Sequence, residues 1–144
     1  MQLHREAIDL IKRSEGCRLT AYKCPAGIWT IGYGDTGPHV VEGLVWTQDQ
    51  ADSHLAARLD EFAHDVDISL TRKATSNQFG AMVSLAYNIG ISAFRRSSVL
   101  RQHNSGKITA AANAFLMWSK GGGQVLPGLV TRRAAERALY LGVA

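Results

Sequence analysis

Apolar residues recur at helical spacing at the start of the chain and at alternate positions just after it. Leu3, Ala7, Ile8 and Ile11 fall on one stripe at i, i+4, i+5 and i+8, which predicts a helix over residues 2–14. Gly16 stops it and leaves Glu15 at its C-terminus, where the helix macrodipole disfavours a carboxylate's charge. Residues 18–34 change period. In RLTAYKC, Leu19, Ala21 and Lys23 alternate with Thr20 and Tyr22, PAG is turn chemistry, and IWTIGYG is β-branched, aromatic and glycine-rich. Together they predict a hairpin, with GDTGP as the next turn and a third short strand near Val40 and Val41.

From Thr47 the period is helical again. TQDQ is a capping box with Thr47 as N-cap and Gln50 at N3. Leu55, Leu59, Phe62, Ala63 and Val66 form the stripe of a helix reaching about residue 68. A second box, TSNQ at Thr75–Gln78, opens FGAMVSLAYN, which is apolar nearly all round and predicts a buried helix ended by Gly90. Shorter helices are expected over Ser98–His103, Thr109–Trp118 and Leu129–Leu141, with KGGGQVLPG (120–128) as a loop whose glycines let backbone approach something closely. The layout is a β-rich N-terminal lobe (1–46), a connecting helix (47–69) and a helical lobe (70–144). A cleft between lobes is the natural ligand site.

At 144 residues, with 46% hydrophobic content, the chain is the size of one domain that can form a core without staples. Two cysteines, Cys17 and Cys24, are too few for a disulfide scaffold. No apolar run approaches the roughly 20 residues of a membrane span. The opening MQLHREAIDLIKRSEG mixes charges throughout, so the expectation is a soluble protein made in the cytoplasm. The net charge of +4 is unevenly spread: residues 1–94 hold 8 Lys/Arg against 11 Asp/Glu, and residues 95–144 hold 8 against Glu136 alone. Such a basic half fits an anionic partner (nucleic acid, membrane surface or acidic polymer) or a solvated helical surface. No aromatic–basic interleaving supports nucleic acid. His39, His54, His64 and the cysteines lack the short spacing of metal ligands, and no cofactor is implied.

One segment concentrates chemistry. EGCRLTAYKCPAGIWTIGYGDTG (15–37) carries Glu15 at a helix end, with Cys24 and Thr30 flanking a hairpin turn. An acid facing a second ionisable group is what glycoside cleavage needs: one protonates the leaving oxygen while the other activates water or attacks. A thiolate can take the second role, and Thr30 can position the water or the thiolate. The bland alternatives are a surface charge, a small buried cysteine and an ordinary strand threonine.

The spacing of Glu15, Cys24 and Thr30 followed by IGYG resembles the phage-type lysozymes (endolysins) of glycoside hydrolase family 24. NQFGAMVSLAYNIG (77–90) is similar to that family's central helix, and FLMWSKGGGQVLPGLVTRRAAERALYLG (115–142) to its C-terminal signature, so the match spans nearly the whole chain. The resemblance implies an α+β fold with a two-lobed cleft and hydrolysis of the β-1,4 bond between N-acetylmuramic acid and N-acetylglucosamine in peptidoglycan. It makes Glu15 the general acid, places Cys24 where an Asp is commoner, and completes a triad with Thr30. Tyr33 and Gly32 would line the cleft, with Gln124 and Arg132 as further sugar or peptide contacts. It also implies a monomer, made in the host cytoplasm and acting on the wall after release by a separate pore-forming holin. The basic half would meet the anionic envelope or membrane. Two departures stand out: Cys24 replaces a carboxylate, with Lys23 or Arg18 the nearest cations in sequence, and Asp35 stands where a His is frequent. A binding module without catalysis and a lytic transglycosylase are the rival readings.

Overall fold

The computed structural model describes residues 2–143. The fold is α+β. Helix α1 (Arg5–Glu15) starts three residues later than the apolar stripe suggests, because His4 is extended and acts as its N-cap. Its buried face is Ala7, Leu10 and Ile11, with Leu3 and Ile8 packed alongside. Gly16 ends it at φ +70°, a left-handed conformation that a side chain on Cβ would strain.

The chain then runs into β1 (Arg18–Lys23) and β2 (Trp29–Gly32), an antiparallel hairpin in which Tyr22 faces Thr30 and Lys23 faces Trp29. A bulge between Arg18 and Tyr22 interrupts the ladder. No third strand forms at Val40 and Val41. Val40 instead closes a turn onto the Gly37 carbonyl (3.0 Å), with its side chain buried and that of Val41 exposed. The chain meets β1 a few residues later: Ala21 N–H donates to the Leu44 carbonyl at 2.9 Å, and Trp46 N–H donates to that of Leu19 at 2.8 Å.

Helix α2 (Gln48–Ser69) opens with the expected capping box, Thr47 Oγ1 accepting from Gln50 N–H at 3.1 Å and Gln50 Oε1 accepting from Thr47 N–H at 2.8 Å. Helix α3 (Ser76–Ile89) repeats the device with Thr75 and Gln78. Every residue from Phe79 to Tyr87 is buried, so α3 is the central element, packed by α1, α2 and α4 (Ile91–Arg95). Helices α5 (Ser98–Asn104) and α6 (Ile108–Ala114) pair with each other. The sequence suggested a helix on to Trp118; the last turn tightens instead into a 3-10 helix, Phe115–Met117. The expected 120–128 loop contains a small hairpin, β3 (Lys120–Gly121) with β4 (Gln124–Val125). Helix α7 (Pro127–Leu141) follows with Pro in its first turn, where a missing N–H costs nothing, and it also packs on α3.

Candidate active site

Glu15 is the last residue of α1, and the turn at Gly16 leaves its carboxylate facing the glycine loop after β2. A Cβ built on Gly34 would lie 3.6 Å from Glu15 Oε1, so loop backbone reaches the acid. The other oxygen, Oε2, accepts a charge-assisted hydrogen bond from Nη1 of Arg132 on α7.

Cys24 sits at the hairpin turn. Its N–H donates to the Ile28 carbonyl at 2.9 Å, and its own carbonyl accepts from Gly27 N–H at 2.8 Å. This turn holds the thiol below the ordinary cysteine range. The Ile28 N–H is the main cause and the Ala26 N–H the next, with slight burial opposing them. The two candidate cations lie on aromatic faces, Arg18 over Tyr22 at 4.3 Å and Lys23 over Trp29 at 5.4 Å. Thr30 is 5% exposed. Its hydroxyl donates to the Ile28 carbonyl at 2.9 Å and lies beside the Cys24 sulfur. Cys24 at the turn and Thr30 on β2 thus belong to one hairpin. Both cysteines are free thiols.

The remaining sequence candidates fall in different places. Tyr33 is buried, and its hydroxyl donates to Asp52 Oδ1 at 2.9 Å and accepts from Gln48 Nε2 at 3.1 Å, both on α2. Burial first, then the Asp52 carboxylate, pushes its phenol up to about 12. Gly32 is buried under Trp46: a Cβ there would lie 2.8 Å from the indole ring and 3.3 Å from Asp35 Oδ2. The glycine thus serves close packing of the loop. Gln124 is exposed on β4. Arg132 is not a surface arginine; it is 6% exposed and wedged between Glu15 and Glu136. Asp35, unassigned by its sequence, pairs with Arg58 of α2 at 3.3 Å and exchanges backbone hydrogen bonds with Ile31. Arg58 also donates to the Tyr87 hydroxyl at 2.9 Å, which in turn donates to the Tyr33 carbonyl at 2.8 Å. The loop that faces Glu15 is thereby tied to α2 and α3.

Sequence reasoning missed Arg58, Ser84, Tyr87 and Glu136. Two signals were available: Ser84 is a hydroxyl inside an apolar helix, and Glu136 is the sole acid of the basic half, four residues after Arg132. A groove of about 620 Å³ lies elsewhere, between α1 and α2, bordered by Leu3, Ile8, Lys12, Asp52, Leu55 and Leu59 among others.

Comparison with known proteins bears on this geometry. The family model described as phage lysozyme matches residues 12–136. The endolysin of Bacillus phage PZA is 44% identical over 97% of this chain and 55% of its own length. The endolysin of Salmonella phage P22 is 43% identical over 98% of this chain and 99% of its own. The chain thus spans little more than half of the Bacillus phage relative but nearly all of the Salmonella phage one. Among solved structures, the muramidase domain of SpmX from Asticaccaulis excentricus superposes with a TM-score of 0.90 at 41% identity, covering 97% of both chains.

Proposed function

Because this chain belongs to the phage lysozyme family, we propose that it is a peptidoglycan hydrolase that cuts the β-1,4 bond between N-acetylmuramic acid and N-acetylglucosamine during host cell lysis. The observation that carries the chemistry is geometric: Glu15 ends α1 facing the glycine loop after β2, and the hairpin that precedes this loop carries Cys24 at its turn and Thr30 on β2. In the proposed reaction Glu15 gives its proton to the bridging oxygen as the bond from that oxygen to the sugar's anomeric carbon breaks. The Cys24 thiolate then acts in one of two ways. It takes a proton from a water that attacks the opposite face, or it attacks the anomeric carbon itself, and water activated by the Glu15 carboxylate releases the sugar. Inversion marks the first route and retention the second. NMR of the freshly formed reducing end tells them apart.

The exposed cations of the basic half would hold the enzyme on the anionic envelope. The same reading has a monomer that reaches the wall through a separate pore-forming protein.

Glu15→Gln tests the core of the proposal. It keeps the side chain's shape and removes the proton, so clearance of a cell suspension should fall about 10²- to 10⁴-fold with the melting curve little changed. A folded Glu15→Gln protein that clears cells at the normal rate ends the assignment. Muropeptide mass spectrometry should find hydrated, not anhydro, ends, which separates hydrolysis from transglycosylation.

A further inference from the structure

Four charged side chains meet where α7 crosses α3 and the end of α1. Arg132 sends Nη1 to Glu15, Nε to Glu136 Oε2 at 3.2 Å and Nη2 to the Ser84 carbonyl at 3.1 Å. Ser84 Oγ donates to the same Glu136 oxygen at 2.5 Å. Arg133 Nε stands 2.9 Å from Glu136 Oε1, an ion pair without hydrogen-bond alignment, and Arg133 Nη2 donates to Asn88 Oδ1 at 2.6 Å. Arg133, Ser84 and Glu136 are fully buried. With both glutamates ionised, two cations face two anions.

We propose that Glu136 is a positioning residue for Glu15: it takes half of the Arg132 guanidinium and balances Arg133, which limits the pull of both cations on the Glu15 carboxyl. The inference rests on the reading of Glu15 as proton donor. An unopposed cation within about 4–6 Å moves a carboxyl's titration down by about 1–3 pH units. Without Glu136, Arg132 and Arg133 would both act on Glu15 without that opposing charge.

The remaining groups facing this cluster do not supply that balance. Tyr87 on α3 lies close to Glu15, but burial pushes its phenol up to about 12, so it is neutral. Asp35 beyond it is matched by Arg58. Lys12, one turn back on α1, is turned to Asp52 at 3.6 Å. Burial pushes the Glu136 carboxyl upward against the pull of both guanidiniums and the Ser84 hydroxyl. The two guanidiniums stand 3.2 and 2.9 Å from its oxygens. Stability alone is a poor reason for such a cluster, since apolar residues of similar volume often hold a core as well as a buried ion pair does.

The test compares wild type with Glu136→Gln, Arg133→Gln and the double variant. Two quantities are read: the pH–rate profile on peptidoglycan and the ¹³C NMR titration of the Glu15 carboxyl. Glu136→Gln should move the alkaline limb of the rate and the Glu15 titration down together, by about 1–3 pH units. Arg133→Gln, which removes a cation instead, should move both upward. The double variant restores the balance and should return close to wild type. If Glu136→Gln does not fold, the Arg133→Gln shift and the double variant's recovery still decide. Glu15 titrations that coincide in all four proteins overturn the proposal. Titrations that move while the rate limbs stay fixed keep the coupling between Glu136 and Glu15, and remove Glu15 as proton donor instead.

Discussion

At the scale of single residues, Cys24 is the most informative departure from the commoner carboxylate. The amides of Ile28 and Ala26 stabilise its thiolate, so the anion should form at lower pH than in an ordinary cysteine of pKa about 8.5. The thiolate is the alkylated species, and its fraction rises with pH through the midpoint. In a Cys17→Ser background, iodoacetamide should therefore inactivate the enzyme with a midpoint below that of a free thiol. Cys24→Ala should lose most activity, whereas Cys24→Asp should keep a substantial part and resist the reagent. A midpoint at or above the free-thiol value would remove the role given to the turn amides. The types and spacing of Glu15, Cys24 and Thr30 were legible because they lie within one local segment. What sets their chemistry was not. The donors to the sulfur are backbone groups with no letter of their own, and Arg132 reaches Glu15 across 117 positions of sequence.

At the scale of elements, local chemistry again decided what could be read. The boxes at Thr47 and Thr75 marked their helix starts because both partners lie within four residues. Helix α4 has no side-chain cap and spans five residues, and β3 and β4 have two residues each, so none carries a period that pattern can detect. Packing between elements was equally hidden. Gly80 of α3 lies under α1, and a Cβ there would sit 2.6 Å from that of Ala7 and 2.8 Å from the His4 ring. Ala7 has no rotamer to yield, so Gly80→Ala must push α1 away at a cost of about 1–3 kcal/mol. Because α1 ends in Glu15, activity measured well below the melting temperature should fall as well. Gly128→Ala in α7 meets nothing within 4 Å and should instead stabilise, by about 0.4–1 kcal/mol. Thermal melts and clearance assays of the two variants check the contrast. Equal melting temperatures would show that α1 and α3 are not closely pressed at Gly80.

At the scale of the whole molecule, the uneven charge survives folding but changes meaning. Of the eight cations after residue 94, Arg132 and Arg133 are buried with Glu136, so the outer surface of that half keeps Arg95, which pairs with Asp65 at 3.8 Å, together with Arg96, Arg101, Lys107, Lys120 and Arg137. Exposed charges act over roughly 8 Å at physiological ionic strength. Raising salt from low to moderate concentration should therefore slow clearance of whole cells far more than hydrolysis of short soluble glycan fragments. Equal slopes for the two substrates would leave the basic surface without a part in capture. The burial of α3 reaches further still. With Phe79 to Tyr87 enclosed by surrounding helices, its amide hydrogens should be among the last to exchange with solvent deuterium. Ser84 and Tyr87 belong to that stretch, so the floor beneath Glu15 and Arg132 should open together with the core. Heat should then take away activity and fold in one step, without a folded but inactive stage between them.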